Sequence, residues 1–455
     1  MIPRRFQRLT QIRHRARLIR ATRIRWQQRG LFVFGGVTVG VVAVAFASLA
    51  DYAQQEFARL LGHGRLLPLL VTPLGFALTV FAANRWFRGS EGSGIPQVIA
   101  AHRLADPAVR RRLVALPIAI GKIALTSAGL LCGASTGREG PTVQVGAAVM
   151  LAAGRLSPRK QTGLIVAGAA AGVAAAFNTP IAGIIFAIEE LSRTFERRTS
   201  GLVLATVVAA GSISLVLVGN YTYFGTSAGT LHGAAAWSAI PLCGICGGLL
   251  GASFSKVLVA VATGKHGLAA HARRTPIRFA AAAGLVVAIS GLVSGESTYG
   301  TGYQQVRDAL SGAAPLPLLF MPLKLVATAC SSVSRIPGGI FSPSLAIGAG
   351  LGADVARLFS GIDVGAMMLL GMVAYLTGVV QAPITAFVIV TELTNNRAML
   401  MPLMLTALLA YGSARVVSPD GIYHALARNV LAGLTPANPA KPSTTEPRTR
   451  SGVVS

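Results

Sequence analysis

The feature that most limits this chain is a long stretch with no formally charged side chain for water to hold. From Gly201 to Ser255, 55 residues pass without one formal charge. A helix crosses the roughly 30 Å of a bilayer's hydrocarbon in about 20 apolar residues. The window is therefore expected to hold two spans, joined by a short exposed link near Asn220–His232. Shorter charge-free windows recur at Gly30–Ala50, Leu66–Asn84, Gln161–Ile188, Phe279–Gly295 and Val364–Thr391. All are rich in Gly, Ala, Leu and Val, which lets helices approach closely inside a membrane. Over the 455 residues only 12% are charged and 53% are hydrophobic. An ordinary soluble domain carries about 25% charged residues, so the chain reads as an all-α polytopic membrane protein.

The charges that remain are distributed unevenly. Lys and Arg total 41 against 15 Asp and Glu, a formal balance of +26. Ten arginines fall within the first thirty residues, with no acid among them. A cationic block beside the first span holds that end in the cytoplasm. A transit peptide or a twin-arginine signal shares this composition, but no cleavage-type small-residue site follows a short apolar core. Nucleic acid as a partner needs a solvated basic face, which a chain this apolar does not offer. The organisation expected is an Arg-rich cytoplasmic segment over 1–29, a membrane domain over 30–432 with halves at about 30–220 and 233–432, and a disordered tail over 433–455.

The halves match each other. Gly137-Arg138-Glu139-Gly140-Pro141 aligns with Gly339-Ile340-Phe341-Ser342-Pro343, and Lys122 to Thr126 aligns with Lys324 to Thr328, both at an offset of 202. Pro180 to Glu189 aligns with Pro383 to Glu392 at 203. A duplicated membrane unit with Gly/Pro-interrupted segments is the mark of a secondary transporter, with its site where the repeats meet. The basic cluster Arg193, Arg197, Arg198 after the first copy has only Arg397 after the second. Basic loops prefer the cytoplasm, which favours inverted over parallel repeats. Broken and re-entrant helices are expected, because the 23 prolines lie partly within apolar stretches and irregular backbone survives at membrane depth only beside protein or water.

Three Gly-rich breaks precede apolar helical runs: Gly92-Ser93-Gly94-Ile95-Pro96, Gly137 to Pro141, and Gly338 to Pro343. Glycine permits the sharp turn and proline fits a first helical turn. Each break leaves a helix N-terminus whose unpaired N–H groups and macrodipole attract anions. Close helix crossings of the small-xxx-small kind are the competing explanation of any single break. Three of them, two related by the repeat, favour an anion site at the repeat interface.

In sequence and order these segments resemble the three signature segments of the CLC family of chloride channels and chloride/proton antiporters, and the likeness runs from about residue 30 to 430. The resemblance implies that Ser93 and Tyr423 are the hydroxyls that contact the central anion and that Ile340 and Phe341 give it backbone N–H groups. It implies that Glu139 is the gating glutamate and Glu190 the internal proton acceptor. It also implies a homodimer with one pathway per subunit, in the cell membrane (a bacterial inner membrane), with chloride and protons as the transported partners. Ser93, where a proline would otherwise stand, implies chloride over nitrate. Gln97 stands where the family commonly has Glu. The tail is too short for the nucleotide-sensing modules of many eukaryotic members, so none of that regulation is expected.

The chemistry can be followed from the residues. A carboxylate among helix N-termini is itself a bound anion, so Glu139 competes with chloride. Protonation neutralises it and frees the position. Glu189–Glu190 is the only adjacent acid pair in the chain and ends an apolar run just before basic residues, a place where protons can enter. Intramembrane acids are functional by default; the plain alternative for Glu190 is an interfacial ion pair with Arg193 or Arg197. Glu189, matched to Glu392, is expected to be structural, capping or pairing at the end of its helix, and Lys122 and Lys324 to be structural too.

Other motifs offer less. Cys243 and Cys246 have metal-like spacing in an apolar run, where packing is the better reading. There is no HExxH, phosphate loop or G-x-S-x-G elbow. No cofactor and no enzymatic activity are expected. A passive channel on the same scaffold remains open beside the antiporter. An intramembrane hydrolase is a remoter alternative, since neither His232 nor His424 has a serine partner nearby in sequence.

Overall fold

The computed structural model describes residues 4–154, 161–192, 197–219, 222–231, 233–264 and 266–434. Arg193 lies outside them, as do the tail from residue 435 onward and the link residues 220, 221 and 232. The described secondary structure is helical throughout, apart from one isolated β-bridge. Seven helical segments in the described residues are long and apolar enough to cross a membrane, among them Arg29–Leu61, Pro68–Trp86 and Leu400–Val417. The protein is a multi-pass membrane protein.

The first half comprises α1 (Arg4–Leu61), α2 (Pro68–Trp86), α3 (Ile95–Arg103), α4 (Pro107–Arg111), α5 (Leu116–Leu131), α6 (Glu139–Ala153), α7 (Gln161–Phe177), α8 (Pro180–Phe186) and α9 (Arg197–Val218). A π-helical turn, Ala187–Ser192, continues α8. The second half comprises α10 (Gly233–Thr263), α11 (Gly267–Arg274), α12 (Pro276–Val293), α13 (Tyr303–Leu310), α14 (Phe320–Val333), α15 (Phe341–Ala356), α16 (Val364–Val380), α17 (Pro383–Thr394) and α18 (Leu400–Val417), followed by α19 (Ile422–Leu434). Packing repeats with the sequence: α6 lies on α7 as α15 lies on α16, and α1 on α9 as α10 on α18. Across the halves, α2 packs on α12 and α8 on α17.

Two of the charge-free windows are not single spans. The run Gln161–Ile188 breaks at Asn178 and Val364–Thr391 breaks at Gln381, both non-glycine residues at positive φ (56° and 59°). Each break is followed within two residues by the proline that opens α8 or α17. A left-handed residue ends a helix sharply, and proline's fixed φ starts the next. The breaks are thus a repeat feature built without glycine.

Two contacts show how the halves are related. Gly137 N–H donates to Gly339 O at 2.7 Å and Gly339 N–H donates to Gly137 O at 2.6 Å, an antiparallel bridge between equivalent residues. Equivalent residues that bond reciprocally lie on a local two-fold axis, and the helices they introduce, α6 and α15, leave it in opposite directions. Glu189 then accepts from Ile384 N–H (3.1 Å) and Thr385 N–H (2.6 Å) at the start of α17. Its counterpart Glu392 accepts from Ile181 N–H (3.2 Å) and Ala182 N–H (2.7 Å) at the start of α8. Each acid therefore caps the helix of the opposite half and not its own. The architecture is a pair of inverted-topology repeats with broken helices.

Candidate anion and proton site

The three Gly-rich breaks meet at the two-fold bridge. Gly338 N–H donates to Gly92 O at 3.1 Å, joining the first break to the third. Thr136 Oγ1 donates to Gly339 O at 2.9 Å, adding to the tie between second and third. A side chain at Gly140 would strike Ser93, and one at Gly339 would strike the backbone of Gly137 and Gly140. Only glycine leaves room for backbones this close. The helices that start here, α3, α6 and α15, have no side-chain cap at their N-termini, so their first N–H groups are directed at whatever lies between them. The start of α19 joins them, with Tyr423 on its first turn.

Two lysines brace the approach. Lys122 Nζ donates to Gly92 O (2.8 Å) and Glu91 O (3.3 Å) ahead of α3. Its repeat partner Lys324 donates to Gly300 O (2.7 Å) and Thr298 O (2.9 Å) ahead of α13. Both side chains are fully buried. Each lysine ties down backbone carbonyls, an arrangement that fits a structural role.

Glu139 is the first residue of α6 and is 2% exposed. Its carboxylate turns back over Gly137 and faces the N–H groups of Glu139 and Ser342 and the Ser342 hydroxyl. It occupies the ground between the N-termini of α6 and α15 that any anion there would take. Tyr223, from the link between the halves, donates its hydroxyl to Glu139 Oε1 at 3.4 Å. Arg138 beside it pairs with Asp51 at 2.5 Å. Asp51, Arg138, Tyr223 and Tyr303 line a cavity of about 130 Å³ on this side.

Ser93 and Tyr423 lie on the other side. Their hydroxyls face each other, and neither has an aligned hydrogen-bond partner among the described residues. A buried hydroxyl without a partner costs about 1–3 kcal/mol, and an anion between the two would satisfy both. Ile340 precedes and Phe341 opens α15, and the Phe341 ring packs on Phe177 and Phe186. A second cavity, about 470 Å³, reaches Ser93, Ile340 and Tyr423 and is also lined by Arg273 and Arg335. The site thus lies between two cavities, with Arg138 and Tyr223, the neighbours of Glu139, lining one and the Ser93–Tyr423 pair lining the other.

Glu190 is buried on the π turn, away from Glu139. Its Oε1 lies 3.4 Å from His424 Nε2. The pairing of Glu190 with Arg193 or Arg197 falls on side chains outside the described residues; within them Glu190 lies beside His424, and the sequence did not single out His424, Arg103 or Tyr223 for this site. His424 adjoins Tyr423, so its neighbourhood was visible, but no sequence pattern connects it to Glu190. Cys243 is buried and Cys246 exposed, one turn apart on α10.

With this geometry in view, the model of the voltage-gated chloride channel family matches residues 75–415. The chain belongs to that family. It is 30% identical over 437 residues to the H(+)/Cl(-) exchange transporter ClcA of Yersinia pestis, covering 87% of this chain and 86% of the relative. It is 28% identical over 430 residues to the ClcA of Klebsiella pneumoniae, covering 87% of each. The crystal structure of a slow cyanobacterial Cl-/H+ antiporter shares the fold with a TM-score of 0.76 at 24% identity, covering 90% of this chain and 98% of that one. A CLC-type fluoride/proton antiporter shares it at 0.75 and 22% identity, with coverage of 88% and 97%. Membership in this family, a transporter family, agrees with the resemblance read from the three breaks.

Proposed function

We propose that the protein exchanges chloride for protons across the membrane, as the names of its ClcA relatives describe for them. The observation that carries this reading is the Glu139 carboxylate lodged between the uncapped N-termini of α6 and α15, with the Ser93 and Tyr423 hydroxyls on the far side. In this reading chloride sits against Ser93, Tyr423 and the backbone N–H groups of Ile340 and Phe341. Glu139 competes for the neighbouring position, and its protonation lets it leave with a proton. Glu190 receives protons from the cytoplasmic side and passes them toward Glu139. Driving force then moves between the two ions because one position serves both the carboxylate and the anion.

The Arg-rich amino terminus lies in the cytoplasm in this reading, and the membrane is a bacterial inner membrane. The protein works as a homodimer with one pathway per subunit. Ile181 and Ile384, repeat-related and both exposed on α8 and α17, belong to an apolar face suited to such pairing.

The test is purified protein in liposomes, with an outward chloride gradient and a proton-sensitive dye. Uphill proton movement is expected. Chloride flux with no proton movement would make the protein a passive channel and end the antiport reading. Glu190→Gln is expected to abolish proton movement while chloride still flows; loss of chloride flux itself would remove Glu190 from the proton role.

A further inference from the structure

The imidazole of His424 lies between two charged groups that reach it from different elements. Nε2 is 3.4 Å from Glu190 Oε1 on the π turn, and Nδ1 is 3.0 Å from Arg103 Nη2 at the end of α3. His424 and Glu190 are each 2% exposed, whereas Arg103 is exposed. A guanidinium carries only N–H donors and keeps its charge. Nδ1 must therefore accept from Arg103 and cannot hold a proton, which leaves the single ring proton on Nε2, the nitrogen 3.4 Å from the Glu190 carboxylate and close to it without an aligned hydrogen bond. The second ring nitrogen's partner decides which nitrogen is protonated.

The described residues place further ionisable groups near this helix. α19 packs on α3, α10 and α16. α3 adds His102; α10 adds Cys243, Cys246 and the exposed Lys256; α16 adds Tyr375. The π turn adds Glu189, whose carboxylate is engaged by the α17 amides. On the α19 side, Arg428 is paired with Asp420 at 2.6 Å, and Tyr423 faces Ser93.

We propose that His424 is a positioning residue for Glu190, locked by Arg103 in its neutral Nε2–H tautomer so that it steadies the proton-accepting carboxylate without adding a charge. The proposal rests on the reading of Glu190 as the internal proton acceptor. Arg103 acts through His424. While it is docked, a second proton on the ring would face a cation, so His424 stays neutral as the cytoplasm acidifies. Glu190 is then the group that titrates on the proton path. Without Arg103 the ring is free to charge and to hold the Glu190 carboxylate as an ion pair, which opposes proton uptake at acid pH.

Nitrogen NMR of histidine-labelled full-length protein in lipid nanodiscs, with His424→Gln used to assign the signal, reads the tautomer directly. A neutral ring with Nε2 protonated is expected from neutral pH down to about pH 5, well below where a free imidazole would charge. In Arg103→Gln the same signal should titrate. An Nδ1–H tautomer, or an imidazolium near neutral pH in the unaltered protein, overturns the lock. In liposomes, His424→Leu should lower the proton-to-chloride flux ratio about tenfold, the scale of one charge-assisted hydrogen bond, and His424→Gln, which keeps an N–H donor, should restore it to within about twofold. Arg103→Gln should lose proton flux only at acid internal pH, and adding His424→Gln should remove that dependence. If the unaltered protein couples the two ions and His424→Leu couples them equally well, this inference fails while antiport stands. If the unaltered protein moves no protons, antiport fails, and the NMR signal still judges the tautomer lock.

Discussion

The two halves of the molecule are alike where they hold the site and unlike where they act in it. Lys122 and Lys324 brace equivalent approaches, Glu189 and Glu392 cap each other's helices, and Asn178 and Gln381 break equivalent runs. At the bridge itself the symmetry stops. Glu139 corresponds to Phe341 across the two-fold axis, Arg138 to Ile340, and Glu190 to Leu393. Only the first half, within the described residues, distorts its cap helix into a π turn. That turn separates the two acids: Glu189 keeps the duplicated capping role while Glu190 is presented to His424. Irregular turns of this kind often mark functional positions in helices. Duplication supplies a preorganised cradle of helix N-termini, and the single-copy side chains give it direction.

The largest effect should come from removing the difference at the bridge. Glu139→Gln leaves a neutral, similarly shaped side chain at the anion position, so proton movement should fall to background and chloride flux should lose its pH dependence in the liposome assay. Proton pumping that persists would mean the asymmetry between Glu139 and Phe341 is not where coupling resides. Next in size are the braces. Lys122→Met and Lys324→Met each strip two carbonyls of their donor, a loss of up to about 2–6 kcal/mol if each orphaned acceptor costs its usual desolvation penalty. The two melting temperatures in detergent should fall by similar amounts. A fall confined to Lys122→Met would give that lysine a role its repeat partner lacks.

How much of this could be read in advance followed the range of the interactions involved. The charge-free windows, the offset of 202 and the three Gly-rich breaks are local patterns that point to an anion site at the repeat interface, whereas the assignment of Ser93, Glu139, Ile340, Phe341 and Tyr423 to it rested on the family resemblance. The breaks at Asn178 and Gln381 were hidden because both residues take a left-handed conformation that composition does not announce; only the following prolines hinted at them. Glu189 looked like a cap for its own helix, since nothing in sequence says that α17 begins beside it. Tyr223 sits in an irregular link with no periodicity, and His424 owes its meaning to Arg103 and Glu190, which are distant in the chain. Side chains that depend on tertiary contact for their function leave no spacing to recognise.

The crossed caps test the inversion at moderate cost. Glu189→Gln and Glu392→Gln each weaken the carboxylate at the opposite helix N-terminus, a loss of about 1 kcal/mol apiece on the usual scale of capping and helix-dipole interactions. Equal, modest falls in thermal stability are expected, with hydrogen exchange quickening at the start of α17 for Glu189→Gln and of α8 for Glu392→Gln. Exchange that quickened in the helix carrying the mutation would contradict the reciprocal arrangement.

The smallest effect concerns Tyr223, which has no part in the duplicated cradle. Its hydroxyl donates to Glu139 Oε1 at 3.4 Å, a long bond within a cluster of Phe177, Phe224 and Tyr303 rings. Tyr223→Phe keeps the ring packing and removes only the donor. The donor favours the ionised carboxylate in its lodged position, so without it Glu139 is neutralised and released more readily. A bond of this length is worth no more than about 1 kcal/mol, which corresponds to about 0.7 pH unit. The acid-activated rise of chloride flux should therefore move to higher pH by up to that amount, with the proton-to-chloride ratio unaltered, because the carboxylate still carries the proton. A shift to lower pH would mean that the hydroxyl holds Glu139 protonated, and would place Tyr223 on the proton path itself.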